Sequence, residues 1–316
     1  MNVLEILKEY NGKVKEDTLK SYARTLDQLK RKCEGDSMFK FLKNPKKVLA
    51  CLSENHNSRK TAIVAILTLL RLQDVDSDII DVYKNEQNKS IEAVQQFYKS
   101  GEKSEKQSKN WLSIEELNDI LLKEEQDYEE IKNKIRGELR PNTYLDTQNY
   151  ILLKIHLDYP IRNDLADTMI VSHAQFNKFT KAKKNKNNYL VINKSDGKLI
   201  LNEYKSAEHY GQKSIDLNDE LVATLNEWIK WRAKHGYGSQ YLLINKYKNA
   251  MNPNNITKSF LRLFSRYGKQ ISTSMIRHII LTEKFGESNK EKEKMADVMG
   301  NSSKTIDEKY VKNNDE

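Results

Sequence analysis

The chain has 316 residues, with 54 Lys plus Arg against 45 Asp plus Glu, a formal charge of +9 that favours a polyanionic partner. The length suits two ordinary domains, and regularly spaced Leu, Ile, Phe and Tyr predict a folded chain although only 38% of residues are hydrophobic. No stretch reaches the roughly 18 apolar residues of a membrane span and no basic-then-apolar leader opens the chain, so an intracellular protein is expected; two cysteines, Cys33 and Cys51, are too few for a disulfide or metal framework.

Residues 1–100 read as a helical domain. Asp17 is placed to cap a helix whose Leu19, Tyr22, Leu26 and Leu29 form one apolar stripe. Further helices are predicted over Pro45–Leu52, from Ser58 to Leu70, and around Ile91–Tyr98. Lys20, Arg24, Lys30, Arg31, Lys32, Lys46, Lys47, Arg59 and Lys60 fall on its outward faces, either as a solvated surface or as a clamp on DNA phosphates. Residues 101–110 carry no apolar side chain and read as a linker.

The second domain, 111–316, opens with a capping box in which Ser113 and Glu116 exchange side-chain to backbone hydrogen bonds, ahead of a helix to about Ile135. Pro141 starts another helix, with Tyr144, Leu145, Ile151, Leu152 and Ile155 on a broad apolar face, and Pro160 ends it two residues before Arg162. The period then changes: Tyr189–Ile192, Leu199–Leu201 and Lys213–Leu217 predict a small antiparallel sheet, with Lys205 near its end. Helices resume after Asp219, then through Phe260 to Tyr267 with Asn255 as cap, and from Ser274 to Phe285 with Ile276, Ile280 and Leu281 buried. The fold class is therefore mainly α with a small antiparallel β-sheet.

No His-Glu-x-x-His, no phosphate-binding glycine loop and no dinucleotide fingerprint occurs, so neither a metal nor a nucleotide cofactor is expected. What stands out is a spread of cations, Arg162, Lys205 and the Arg277-His278 pair, followed by Met299-Gly300-Asn301-Ser302-Ser303 and Tyr310. This order resembles the tyrosine recombinases, or phage-type integrases, whose catalytic fold is shared with type IB topoisomerases. The family pattern runs from an arginine after a helix, through a hairpin lysine and an Arg-His pair, to a glycine-containing turn nine residues before a nucleophilic tyrosine. The resemblance covers about residues 110–316, and the N-terminal helices only in layout.

The resemblance implies an α+β catalytic domain behind a helical DNA-binding domain. It makes Tyr310 the nucleophile, with Arg162, Lys205, Arg277 and Asn301 catalytic and His278 and Asp164 supporting. Two departures stand in the pattern: Ser274 where a histidine or lysine is usual, and Asn301 where histidine or tryptophan is usual. Asp164 and Asp167 are candidates to orient Arg162, since Leu165 replaces the usual acidic residue. On a helix His278 points about 100° away from Arg277, which suits a packing or hydrogen-bonding role. Lys194, Lys198 and Lys213 flank the same hairpins and remain alternatives to Lys205.

In the implied chemistry the phenolic oxygen attacks a DNA phosphodiester, leaving a 3′-phosphotyrosine and a 5′-hydroxyl. Two guanidinium forks neutralise the developing charge and a desolvated lysine protonates the leaving oxygen. The partners implied are double-stranded DNA and further copies of the chain, as a tetramer on two sites. A type IB topoisomerase, or a DNA-binding protein that has lost activity, would carry the same layout.

Overall fold

Prolines and short polar caps set most of the helix boundaries in the computed structural model, which describes residues 3–9, 14–35 and 37–298. The chain divides into two units, Met1–Lys103 and Ser104–Glu316.

The first unit holds α1 (Val3–Lys8), α2 (Glu16–Lys32), α3 (Met38–Leu42), α4 (Pro45–Cys51), α5 (His56–Leu70) and α6 (Ser77–Ser100). The central element is α5, whose residues Ile63, Ala65, Ile66, Leu69 and Leu70 are all fully covered; a helix apolar around most of its circumference belongs inside a core. Leu19, Ala23, Leu26 and Leu29 of α2 pack on it as one stripe. Lys15, not Asp17, occupies the cap position of α2, without a side-chain cap bond. Asp17 instead pairs with Lys20 at 3.4 Å. Arg59, one of the outward cations expected to be available to DNA, is tied to Glu86 at 2.7 Å in a half-buried pair. Arg24, Lys32, Lys46 and Lys47 are exposed.

In the second unit, residues expected to be linker form a helix, α7 (Glu105–Asn110). Ser104 and Gln107 close its start with a reciprocal capping box, and the buried Asn110 side chain accepts from Gln270 N at 2.6 Å. Polar side chains can pack when their hydrogen bonds are met, so the lack of apolar residues did not exclude order here. The Ser113–Glu116 box then starts α8 (Ile114–Lys134), with bonds of 2.7 and 3.1 Å. Next come α9 (Pro141–Asp158), β1 (Met169–Val171), α10 (His173–Asn177), α11 (Lys181–Lys184), β2 (Tyr189–Ile192) and β3 (Gly197–Leu201). The last elements are α12 (Ala207–Tyr210), β4 (Lys213–Asp216), α13 (Asp219–Arg232), α14 (Pro253–Ser265) and α15 (Thr273–Val298).

The sheet has order β1-β2-β3-β4 and is mixed, where an antiparallel one was expected: β2, β3 and β4 pair antiparallel, but β1 joins β2 in parallel. Leu190 and Ile192 face the main core with the helices, while Tyr189 and Val191 join a separate cluster on the opposite face, the period-2 split of a strand buried on both sides. The outer edge of β1 is covered by residues 240–242, through Ile170 N to Gln240 O (2.7 Å) and Leu242 N to Thr168 O (2.8 Å). Arg232 holds that segment. It is fully buried, donates to the carbonyls of Leu242 (2.8 Å) and Tyr241 (2.6 Å), and lies over the Trp228 ring.

Two further helices differ from expectation. Asn252 caps α14, and Asn255 is its reciprocal partner three residues on. Helix α15 runs through Gly286 to Val298; Ile280 still packs half-buried against the core, but Leu281 is 46% exposed and not buried.

Candidate active site

A helix stop and a short turn place Arg162. Pro160 cannot continue α9; Leu165 then enters the core and draws the 3-10 turn Asn163–Leu165 down with it. Asn163 fixes the turn sideways, donating to Pro253 O at 2.9 Å and to Thr257 Oγ1 at 2.8 Å on α14. Arg162 is left exposed at the cap of this turn, and Asp164 half-buried within it.

Arg277 reaches the same place from α15, where its neighbours Ile276 and Ile279 are core residues. One terminal nitrogen donates to Ser274 Oγ at 3.0 Å, so Ser274 holds the arginine from one turn back. The Arg277 Nε is buried and has no hydrogen-bond partner among the described residues. Burial first, and the charge of Arg162 second, hold this guanidinium below the ordinary arginine range, with Asp164 acting in opposition. A buried N–H donor without a partner is uncommon and calls for a specific account.

The Asp164 carboxyl is the meeting point. Burial raises it above the usual aspartate value, against the pull of Arg162, Arg277, the backbone N–H of Lys205 and the charge of Lys213. Of the predicted site residues, Arg162, Asp164 and Arg277 are therefore brought together, and Lys205 joins them through its backbone N–H.

Lys205 lies in the turn after β3, just before α12, with an exposed side chain. The loop closes at Gly211, whose φ of 68° and ψ of −160° belong to a region that residues with a Cβ avoid. Beyond it Lys213 lies over the rings of Tyr204 (4.9 Å) and Tyr210 (5.4 Å). Of the alternatives to Lys205, Lys213 shares the cluster, whereas Lys198 is paired with Asp216 at 3.2 Å and Lys194 sits in the β2–β3 turn. Asp167, expected beside Arg162, neighbours Glu203, whose charge adds to burial in raising its carboxyl. His278 is exposed. Asn301 and Tyr310, with the rest of 299–316, lie outside the described residues.

His156 is the residue that sequence reasoning passed over. It is fully buried on α9, donates through Nδ1 to Leu152 O at 2.8 Å and meets the Phe260 ring edge-on at 4.9 Å. Burial, reinforced by the charge of Arg277, lowers it to about 4, so at neutral pH a neutral imidazole backs the arginine. A buried charged ring beside Arg277 would have cost stability. Only its apolar-face position on α9 hinted at burial, and nothing in the local sequence tied it to Arg277.

Fold and site together define a mainly helical protein with a small mixed sheet that gathers two arginines and a lysine-bearing loop around one half-buried carboxylate. Such a cluster suits an anion with several oxygens, which two guanidinium forks can share. Among the described residues no three His, Cys, Asp or Glu side chains come together as a metal-ligand set, and no helix is long and apolar enough to cross a membrane.

No family model and no curated protein matches the sequence. Among solved structures, the chain is similar to XerH site-specific recombinase bound to difH in a pre-cleavage complex, at 14% identity and TM-score 0.40, over 90% of this chain and 85% of that one. A post-cleavage XerH complex with palindromic difH gives 13% and 0.40, over 99% and 91%; XerA recombinase gives 12% and 0.36, over 90% and 84%. At these identities no residue of theirs is matched to one here.

Proposed function

We propose that this chain is a tyrosine-recombinase-like enzyme that breaks and rejoins duplex DNA through a phosphotyrosine at Tyr310. The observation that carries the proposal is the convergence of Arg162 and Arg277 on Asp164, with the Arg277 Nε buried and unpartnered. A scissile phosphate placed there would supply the missing acceptor and meet both guanidinium groups.

The phenolic oxygen of Tyr310 gives up its proton to solvent and forms a bond to phosphorus, and the bond from phosphorus to the 5′ oxygen of the next nucleotide breaks. The leaving oxygen takes a proton and departs as a hydroxyl; Lys205 is the first candidate donor and Lys213 the second. Arg162 and Arg277 stabilise the charge that builds on the non-bridging oxygens. Asp164 holds the Lys205 loop by its backbone amide and balances the two guanidinium charges. Asn301 is assigned an amide hydrogen bond to the same phosphate, on the sequence pattern alone. Because one phosphodiester replaces another, attack by a 5′-hydroxyl reverses the step and reseals a strand. Exchange between two duplexes involves four strands and one tyrosine for each, so the assembly proposed is a tetramer on two sites.

The test is incubation with nicked duplexes from the flanks of the chain's own gene, followed by denaturing gels. The proposal expects a protein–DNA adduct at the 3′ end that Tyr310→Phe abolishes. Absence of any adduct, with DNA binding intact, would leave a DNA-binding protein without the activity. Relaxation of supercoils by a monomer, without pairing of two sites, would assign the same chemistry to a topoisomerase.

A further inference from the structure

Between β1 and β2 the chain makes an excursion whose composition is unlike the rest: Lys178, Lys181, Lys183, Lys184 and Lys186 fall within nine residues, and residues 168–195 contain no Asp or Glu. Like charges so close lie within a Debye length of about 8 Å and repel, and such runs are ordinarily solvated and without fixed structure. Here the run is held in place. Ser172 and Gln175 cap α10 reciprocally and Thr180 caps α11. Phe176 and Phe179 turn inward on Tyr189, at ring separations of 5.5 and 5.7 Å, and join Val171, Val191 and Ile200 on the sheet face away from the main core.

The backbone of this excursion is also clamped to the candidate site. Tyr189 OH donates to Lys183 O at 2.7 Å, and the Asn202 amide donates to Lys184 O at 2.8 Å. Asn188 then bridges Asp164 O (2.8 Å) and Glu203 O (2.9 Å), and its own Oδ1 accepts from the amides of Asn202 and Glu203. Asp164 is a member of the site, and residues 202 and 203 lead directly into Lys205. The lysine run is thus fixed to both of the loops that form the cationic cluster.

Lys184 is half-buried and folds back to Asn177 O (3.4 Å) over the Phe176 ring (5.3 Å). Lys178, Lys181, Lys183 and Lys186 are exposed, and among the described residues no carboxylate pairs with any of them. Lys183 covers the Phe179 ring at 3.8 Å, so this surface offers ammonium groups and asparagine amides, with the aromatic rings turned away. A protein partner of ordinary kind would find no aromatic anchor there. A phosphate backbone needs only the cations.

We propose that Lys178, Lys181, Lys183 and Lys186 form a second contact surface for duplex DNA, binding backbone phosphates that flank the one held by Arg162 and Arg277. The inference rests on the proposed function for the place of that phosphate. The surface positions the duplex without reading its sequence, since ammonium groups on phosphates carry no base information. Its signature is counterion release, worth about 0.9 in the slope of log affinity against log salt for each phosphate neutralised.

The experiment compares Tyr310→Phe protein with and without Lys178→Gln, Lys181→Gln, Lys183→Gln and Lys186→Gln together, titrating a fluorescent gene-flank duplex over a series of salt concentrations. Cleavage plays no part, so the outcome is separate from the adduct assay. The slope is expected to fall by about three to four. A fourfold rise in salt then costs the parent roughly a hundredfold more affinity than the variant. Arginine at all four positions should restore the slope. A variant slope within about one unit of the parent overturns the inference. So does a loss confined to one DNA sequence, which would mean base readout.

Discussion

Acidification is expected to destabilise the second unit through one buried imidazole. His156 titrates at about 4 in the folded chain against an ordinary 6.5, because its burial and the neighbouring Arg277 both disfavour the charged ring. At about 1.4 kcal/mol per pKa unit, the difference is worth about 3 kcal/mol. The sign follows from proton counts. Between the two values the unfolded chain binds the proton and the folded chain does not, so stability is full above pH 6.5, falls as the pH drops to about 4, and is flat below. Other carboxylates titrate in the same window, so the contrast that isolates His156 is the wild type against His156→Leu. That variant loses the bond to Leu152 O, a cost of about 1 kcal/mol at every pH, and with it the titration. Trp111, Trp228 and Trp231 are the three tryptophans of the chain and all lie in the second unit, so denaturant unfolding followed by their fluorescence reads that unit alone. The expected result is that wild type and variant converge, or cross, on acidification by about 3 kcal/mol. Parallel curves would refute the claim that His156 is held neutral beside Arg277.

Arg277→Lys keeps a positive charge but loses the fork and the buried Nε donor, and should lower the rate of adduct formation about a hundredfold or more, measured on nicked duplex at saturating protein. Ser113→Ala removes one half of the box that starts α8 and should cost about 1 kcal/mol in the same fluorescence-detected unfolding, with no change in m-value.

How much could be read from the sequence depended on how local each feature was. The Ser113–Glu116 box, the stop at Pro160 and the apolar run of β2 are made by residues next to one another, and each stands where the pattern put it. Ser104 and Gln107 form a box of the same local kind, in a stretch whose lack of apolar residues reads as linker. Strand β1 is three residues long and owes its existence to β2 on one side and residues 240–242 on the other, partners no local pattern identifies. Arg59 and Lys20 looked like outward cations because Glu86 and the carboxylates of the preceding turn become partners only once the helices form. At the site, Arg162, Asp164, Lys205 and Arg277 were named from the family resemblance. The imidazole behind Arg277 and the lysine run clamped to the loop before Lys205 are products of packing between distant segments.

The most direct measurement of the central claim is mass spectrometry of the protein–DNA adduct after nuclease and protease digestion. The account predicts a nucleotide joined through its 3′ phosphate to Tyr310. A linkage to another of the 16 tyrosines, a 5′ linkage, or unlinked protein after exposure to DNA that it binds would contradict it.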